Sequence, residues 1–120
     1  MIATTKEQAE ILLACKVSTE TADMTLLKDD GQVVLSSRPY KSFSKHFREE
    51  YCIPAWSLSA LLEILPTVFS VRELTLSKTT CNSYEVFYWN SEEQSMMQNQ
   101  EGRTPIEACI KMIKELSLKH

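Results

Sequence analysis

A chain of 120 residues with 43% hydrophobic and 24% charged residues has the size and composition of one globular domain with room for a buried core. Its formal net charge of −3 excludes broad electrostatic attraction to nucleic acid or anionic lipid, although a local basic patch stays compatible with it. Only two glycines, Gly31 and Gly102, occur, which excludes a glycine-rich loop around a phosphate.

Met1–Gln8 shows no charged leader followed by an apolar stretch, so no secretory signal is expected. Thr4 and Thr5 each precede Glu7 or Gln8 by three positions, the capping-box spacing, and an amphipathic helix is expected over about 5–16. Val17–Asp23 reads as a turn, because Ser18, Thr19, Thr21 and Asp23 compete for backbone hydrogen bonds. Strands near 24–27 and 32–36 flank Lys28-Asp29-Asp30-Gly31, and Asp-Gly between apolar runs signals a hairpin. Ser36–Ile53 is the least regular stretch, with a short helix expected over part of it, near Ser42–Glu50. Ser57 reads as the N-cap of a helix near 57–65, with Trp56 placed to staple onto Leu61 and Pro66 as the stop. That apolar run, Leu58–Leu65, is too short to cross a bilayer.

Strands near 70–78 and 83–90 follow, joined by a Thr-Thr-Cys-Asn turn. Tyr84, Val86 and Tyr88 alternate with Phe87 and Trp89, so the second of these strands is apolar on both faces. Ser91–Glu101 is polar apart from Met96-Met97 and reads either as a third strand or as a loop. The last helix, near 104–117, carries the clearest signals: Thr104 as cap, Pro105 in the first turn, Glu107 closing the box. The fold class expected is α+β, one domain over 1–120, with three helices packed on antiparallel hairpin strands.

Three segments occur in order: Glu20-Thr21-Ala22-Asp23-Met24, Pro54-Ala55-Trp56-Ser57-Leu58 continuing to Leu65-Pro66, and Thr104-Pro105-Ile106-Glu107-Ala108-Cys109-Ile110-Lys111-Met112-Ile113. In these the chain resembles a group of small uncharacterised proteins carried by phages and mobile elements of Bacteroidetes bacteria, the middle segment being the most specific. The helix–strands–helix plan is more distantly similar to small phage sandwich domains. The resemblance implies a bacterial, cytoplasmic accessory protein and carries over no activity or site residue. Its recurring positions are caps, a staple and core residues, the pattern of a fold signature.

Candidate chemistry is sparse. The cysteines Cys15, Cys52, Cys81 and Cys109 form no C-x-x-C pair and read as free thiols in a reducing compartment. No metal or cofactor site is expected, since the cysteines are too far apart to start a zinc site and Asp29-Asp30-Gly31 lacks the carboxylates of a calcium loop. The histidines are His46 and His120. An enzyme would need distant residues such as Cys52, His46 and Glu63 to converge in a pocket, and none is expected to be catalytic. Glu49-Glu50 and Glu92-Glu93 read as solvated surface, because adjacent side chains point apart.

Two sets of residues stand out as surfaces. Arg38, Lys41, Lys45 and Arg48 interleave with Tyr40, Phe43, Phe47 and Tyr51, the composition of a single-strand-binding loop. The same pattern arises when Tyr40, Phe43 and Phe47 enter the core and only the cations stay wet. Phe87, Trp89, Met96 and Met97 are the expected partner interface, since an apolar sheet face that the chain's own helices leave uncovered must be buried by something else. A homodimer is the commonest such solution. The leading expectation is a non-enzymatic interaction protein acting through protein contacts, with a nucleic-acid-binding factor using Arg38, Lys41, Lys45 and Arg48 as the alternative.

Overall fold

The computed structural model describes residues 2–69 and 72–118. They form an α+β fold built on two antiparallel sheets. Four α-helices stand among the described residues, where three were expected. None is long and apolar enough to cross a membrane. The chain divides into two compact units, Met1–Ala60 and Leu61–His120.

The first unit opens with helix α1 (Lys6–Ala14). Of the two candidate caps, Thr5 is the one used: its hydroxyl accepts from the Gln8 N–H, and the Gln8 side chain accepts from the Thr5 N–H. Thr4 is buried instead, and its hydroxyl accepts the backbone N–H of Trp56 at 3.0 Å. Strands β1 (Met24–Asp29) and β2 (Gln32–Ser36) close across Asp30-Gly31. Both turn residues have positive φ (45° and 80°), the type I′ geometry that suits Asp-Gly. Helix α2 (Lys45–Tyr51) is the fourth helix. It runs directly into β3 (Cys52–Ala55), a strand not expected from sequence, because Pro54 argues against regular pairing. An edge position admits that proline: the strand order is β2-β1-β3. Ala3, Leu26 and Ala55 form a core cluster, with Met24, Leu35 and Ile53 packed on it.

Helix α3 (Leu58–Ile64) contains the boundary between the units. Ser57 caps it as expected, accepting from the Ala60 N–H at 3.2 Å. Asp23 in turn accepts both the N–H and the hydroxyl of Ser57, and Trp56, wholly buried, donates its indole N–H to Thr21 at 2.9 Å. Residues 4, 21 and 23 thus converge on 56–57.

The second unit is a four-stranded antiparallel meander in the order β4-β5-β6-β7, so the two hairpins read from sequence lie in separate sheets. The strands are β4 (Val68–Phe69), β5 (Arg72–Lys78), β6 (Tyr84–Asn90) and β7 (Ser95–Gly102); residues 70 and 71 of the expected 70–78 strand lie outside the described residues. The polar stretch read as strand or loop is therefore largely strand. Helix α4 (Pro105–Leu118) packs on β6 and β7, and its Ile106, Cys109, Ile110, Ile113 and Leu116 are buried, as the 3.6-residue period predicts. Val86 and Tyr88 are fully buried in β6. Gly102 ends β7 where the chain turns into α4; a Cβ there would stand 2.6 Å from the Ala108 backbone nitrogen, so the approach requires glycine.

Two stability outcomes follow from these contacts. Asp23→Ala and Ser57→Ala are each expected to lower unfolding stability by about 1–3 kcal/mol, with the double variant costing less than the sum, as measured by urea denaturation. Gly102→Ala is expected to cost about 1–3 kcal/mol by forcing β7 away from α4, read as a lower thermal midpoint.

Candidate interaction surface

Ser44 starts α2 by accepting from the Phe47 N–H at 3.4 Å, and the Cys52 N–H closes it on the Arg48 carbonyl. Within these two turns, Phe43, Phe47 and Tyr51 follow at four-residue spacing and share one side. Phe43 and Phe47 stack with centroids 5.4 Å apart and planes 18° from parallel. Phe47 and Tyr51 follow at 5.1 Å with a 39° tilt. The Arg38 guanidinium lies 4.2 Å over Phe43 and donates to the Ser42 carbonyl at 3.3 Å. The result is a continuous row, Arg38–Phe43–Phe47–Tyr51.

This row faces water. Phe47 is 38% and Tyr51 45% exposed, while Tyr40 and Phe43 are half-buried. The core placement weighed for Phe47 is thereby corrected: the helix turns this side chain outward. Lys41 and Lys45 are exposed, and Arg48 lies over the Tyr40 ring at 5.6 Å. Across 38–51 four Lys and Arg side chains stand against two carboxylates, Glu49 and Glu50. Glu50 also sits 3.7 Å from the exposed His46.

Beside the row, a pocket of about 290 Å³ has Lys6, Lys28 and Arg48 around it together with Glu10 and Glu49, and Cys52, Ile53 and Pro54 in its wall. Among the described residues no carboxylate pairs with any of these three cations. The Cys52 thiol is buried, and burial raises its pKa against the opposing pull of Arg48, Arg38 and Lys28. A thiol held protonated in this way is a poor nucleophile. His46, exposed, lies 3.7 Å from Glu50 one turn along α2. His120 lies outside the described residues. Within those residues no three His, Cys, Asp or Glu side chains gather so as to hold a metal ion.

The second expected surface is only partly formed. Phe87 is 9% exposed, and its edge meets the Trp89 ring at 6.4 Å. Phe87 is thus covered mostly within the chain. Trp89 is half-buried, and Met96, directly opposite it in the sheet, is exposed. The Met97 side chain lies outside the described residues. Around Trp89 the surroundings are acidic: a pocket of about 420 Å³ is lined by Glu73, Glu92 and Glu93 as well as by the indole. Among the described side chains, Trp89 and Met96 make a small apolar spot in a polar rim.

The aromatic row was present in the sequence as the four-residue recurrence of Phe43, Phe47 and Tyr51. What periodicity does not tell is which side of so short a helix meets the sheet. No protein-family model, curated protein or solved structure matches this chain.

The buried titratable groups of the second unit set an alkaline limit. Burial lifts the Cys109 thiol from 9.0 to about 11, and burial together with the Cys109 charge lifts the Tyr88 phenol from 10.0 to about 12. The folded state keeps protons that the unfolded chain releases, so this contribution is complete below pH 9 and is lost as pH rises through the 9–11 and 10–12 windows. We expect the unfolding free energy from urea titrations to fall above pH 9 by up to about 1.4 kcal/mol per pH unit for each titrating group. Tyr88→Phe should flatten the upper part of that slope.

Proposed function

We propose that this chain is a non-enzymatic binding protein whose working surface is the Arg38–Phe43–Phe47–Tyr51 row with its surrounding cations, and that it engages an acidic, apolar segment of another protein. The observation that carries this reading is the outward stack of aromatic rings on α2. Exposed aromatic side chains beside arginine are the composition of binding hot spots, and large apolar groups left in water are best accounted for by a partner that covers them. Charge selects the partner: among the described residues no carboxylate is ion-paired with Lys41 or Lys45, both exposed, and they favour Asp and Glu on the incoming chain.

The stacking geometry favours protein over single-stranded nucleic acid. A base needs a free aromatic face. Here the Arg38 guanidinium lies over Phe43, Phe43 stacks with Phe47, and Tyr51 leans on Phe47, so ring faces within the row are already engaged with one another. Glu49 and Glu50 further weaken the field that phosphates would meet. The likeness of three segments to proteins of Bacteroidetes phages and mobile elements supports an accessory role in a bacterial cytoplasm.

The test is selection from a displayed library of random peptides, run alongside oligo-dT binding over a range of salt. Acidic, apolar sequences should be enriched, and Phe47→Ala should weaken their binding about tenfold or more without changing the far-ultraviolet spectrum. Reversal of Lys41 and Lys45 to Glu should weaken them further. Binding of oligo-dT that weakens with salt and with Phe47→Ala would replace this reading by the nucleic-acid one; no enrichment at all would remove the surface.

A further inference from the structure

β2 is the outermost strand of its sheet, and what it presents is unusual for an edge. Exposed strand edges are normally protected by proline, charge, bulges or a cover, because open backbone groups recruit another strand. The other edges of the two sheets carry such features. Pro54 interrupts β3, Gln98 bends β7 with a φ of 57°, and β4 covers one end of β5 while Lys78 sits at the other. The residues of β2, Gln32-Val33-Val34-Leu35-Ser36, include no charge, no proline and no positive φ. Val33 is 46% and Val34 50% exposed, although alternation sends them to opposite faces.

The hairpin sets which backbone groups are free. In a two-residue turn the closing pair, Asp29 and Gln32, exchanges both hydrogen bonds. Alternation then directs Gln32, Val34 and Ser36 toward β1, and the N–H and C=O of Val33 and Leu35 outward. An antiparallel copy of the same strand, with Val34 on the twofold axis, sets Val33 opposite Leu35 and Leu35 opposite Val33. Both are outward-facing positions, so each pair exchanges two bonds in the correct phase. Val34 meets Val34 of the other copy in the closer, non-bonded pairing, and Gln32 meets Ser36. No like charges meet, and the acidic Asp29-Asp30 turn of each copy points toward the Arg38 end of the other.

We propose that β2 is a self-association edge: two copies of this chain pair antiparallel through residues 32–36, with Val34 on the axis, joining two three-stranded sheets into one of six strands. The paired strand is β2, whereas Phe47 and Tyr51 stand on α2.

Mass in solution, measured by light scattering on the full chain in reducing buffer over a concentration series, tests the proposal. A reversible monomer–dimer equilibrium is expected. Val34→Lys sets two like charges face to face on the axis and should weaken dimerisation tenfold or more, whereas Met96→Lys should leave it unchanged. Cysteine cross-linking checks the register independently of folding effects. In a Cys81→Ser background, Val34→Cys should give a disulfide-linked dimer under mild oxidation, because a non-bonded antiparallel pair has the Cα separation a disulfide needs. Val33→Cys, facing Leu35, should cross-link far less. A wild-type monomer up to ~100 µM, a dimer that survives Val34→Lys but not Met96→Lys, or equal cross-linking at 33 and 34 would each overturn the proposal.

Discussion

Trp56 and Ser57 are held by three residues more than thirty positions away from them, and the first unit depends on that junction. A buried indole must find an acceptor. Thr21 provides one because its own hydroxyl proton is already committed to the Ser18 carbonyl at 2.6 Å, leaving its lone pairs for the indole N–H. Thr4 takes the Trp56 N–H on its hydroxyl and gives its own N–H to the Trp56 carbonyl, both at 3.0 Å. The Asp23 carboxylate fixes Ser57, and Ser57 thus oriented caps α3. The side chains of Thr4, Thr21, Asp23, Trp56 and Ser57 all find partners at this junction, where Glu20–Met24 meets Pro54–Ser57. They are two sides of one contact.

That contact also determines what happens to α2. Asp23 leads straight into β1 and Ser57 follows closely on β3, so joining them brings Met24 opposite Ala55 and sets the register back to Leu27 opposite Cys52. The helix must therefore deliver Cys52 to the sheet in a fixed orientation. Arg48, one turn earlier, shares that inward side, as its position over Tyr40 and beside the pocket shows. Phe47 and Tyr51 each precede an inward residue by one step of about 100° and so turn away from the sheet. Their exposure follows from register and rotation, not from any polarity of their own.

The same reasoning explains which features were legible in the sequence. Caps, turns and the long amphipathic α4 rest on local chemistry: Thr5 with Gln8, Asp30 with Gly31, Ser57, and Thr104 with Glu107 act within four residues of themselves. The strands that local pattern missed or did not decide are tertiary in origin. Cys52–Ala55 contains a proline and pairs only because the junction lays it against β1; the stretch that becomes β7 is polar, and is a strand because β6 on one side and α4 above it supply the pairing and the cover. The surfaces divide in the same way. That Phe43, Phe47 and Tyr51 share a side was readable from their spacing, but that this side faces water was not. For Phe87, alternation placed it with Trp89 correctly and could not show that it would be buried within the chain.

A last contrast concerns how the two units use their apolar residues. In the second, large side chains go inside: Val86, Tyr88, Ile106, Ile110, Met112 and Ile113 are all buried. In the first, Leu12, Leu26 and Trp56 are buried beside a set of small residues (Ala3, Ala9, Ala22, Ala55, Ala60, with Thr4 and Thr25), while Ile11, Leu13, Val33, Val34, Phe47 and Tyr51 remain exposed. Burial stabilises by roughly 25 cal/mol per Å² of apolar surface, so for folding alone this distribution is inefficient. An alanine-rich interior tied together by the hydrogen-bonded junction can nevertheless keep its shape with less hydrophobic area. The larger apolar groups are then left on the outside, where only a second molecule can bury them. The hydrogen bonds of Asp23, Thr21 and Thr4 thus hold together a unit that leaves the aromatic row and the β2 edge exposed, the two surfaces proposed above as contacts.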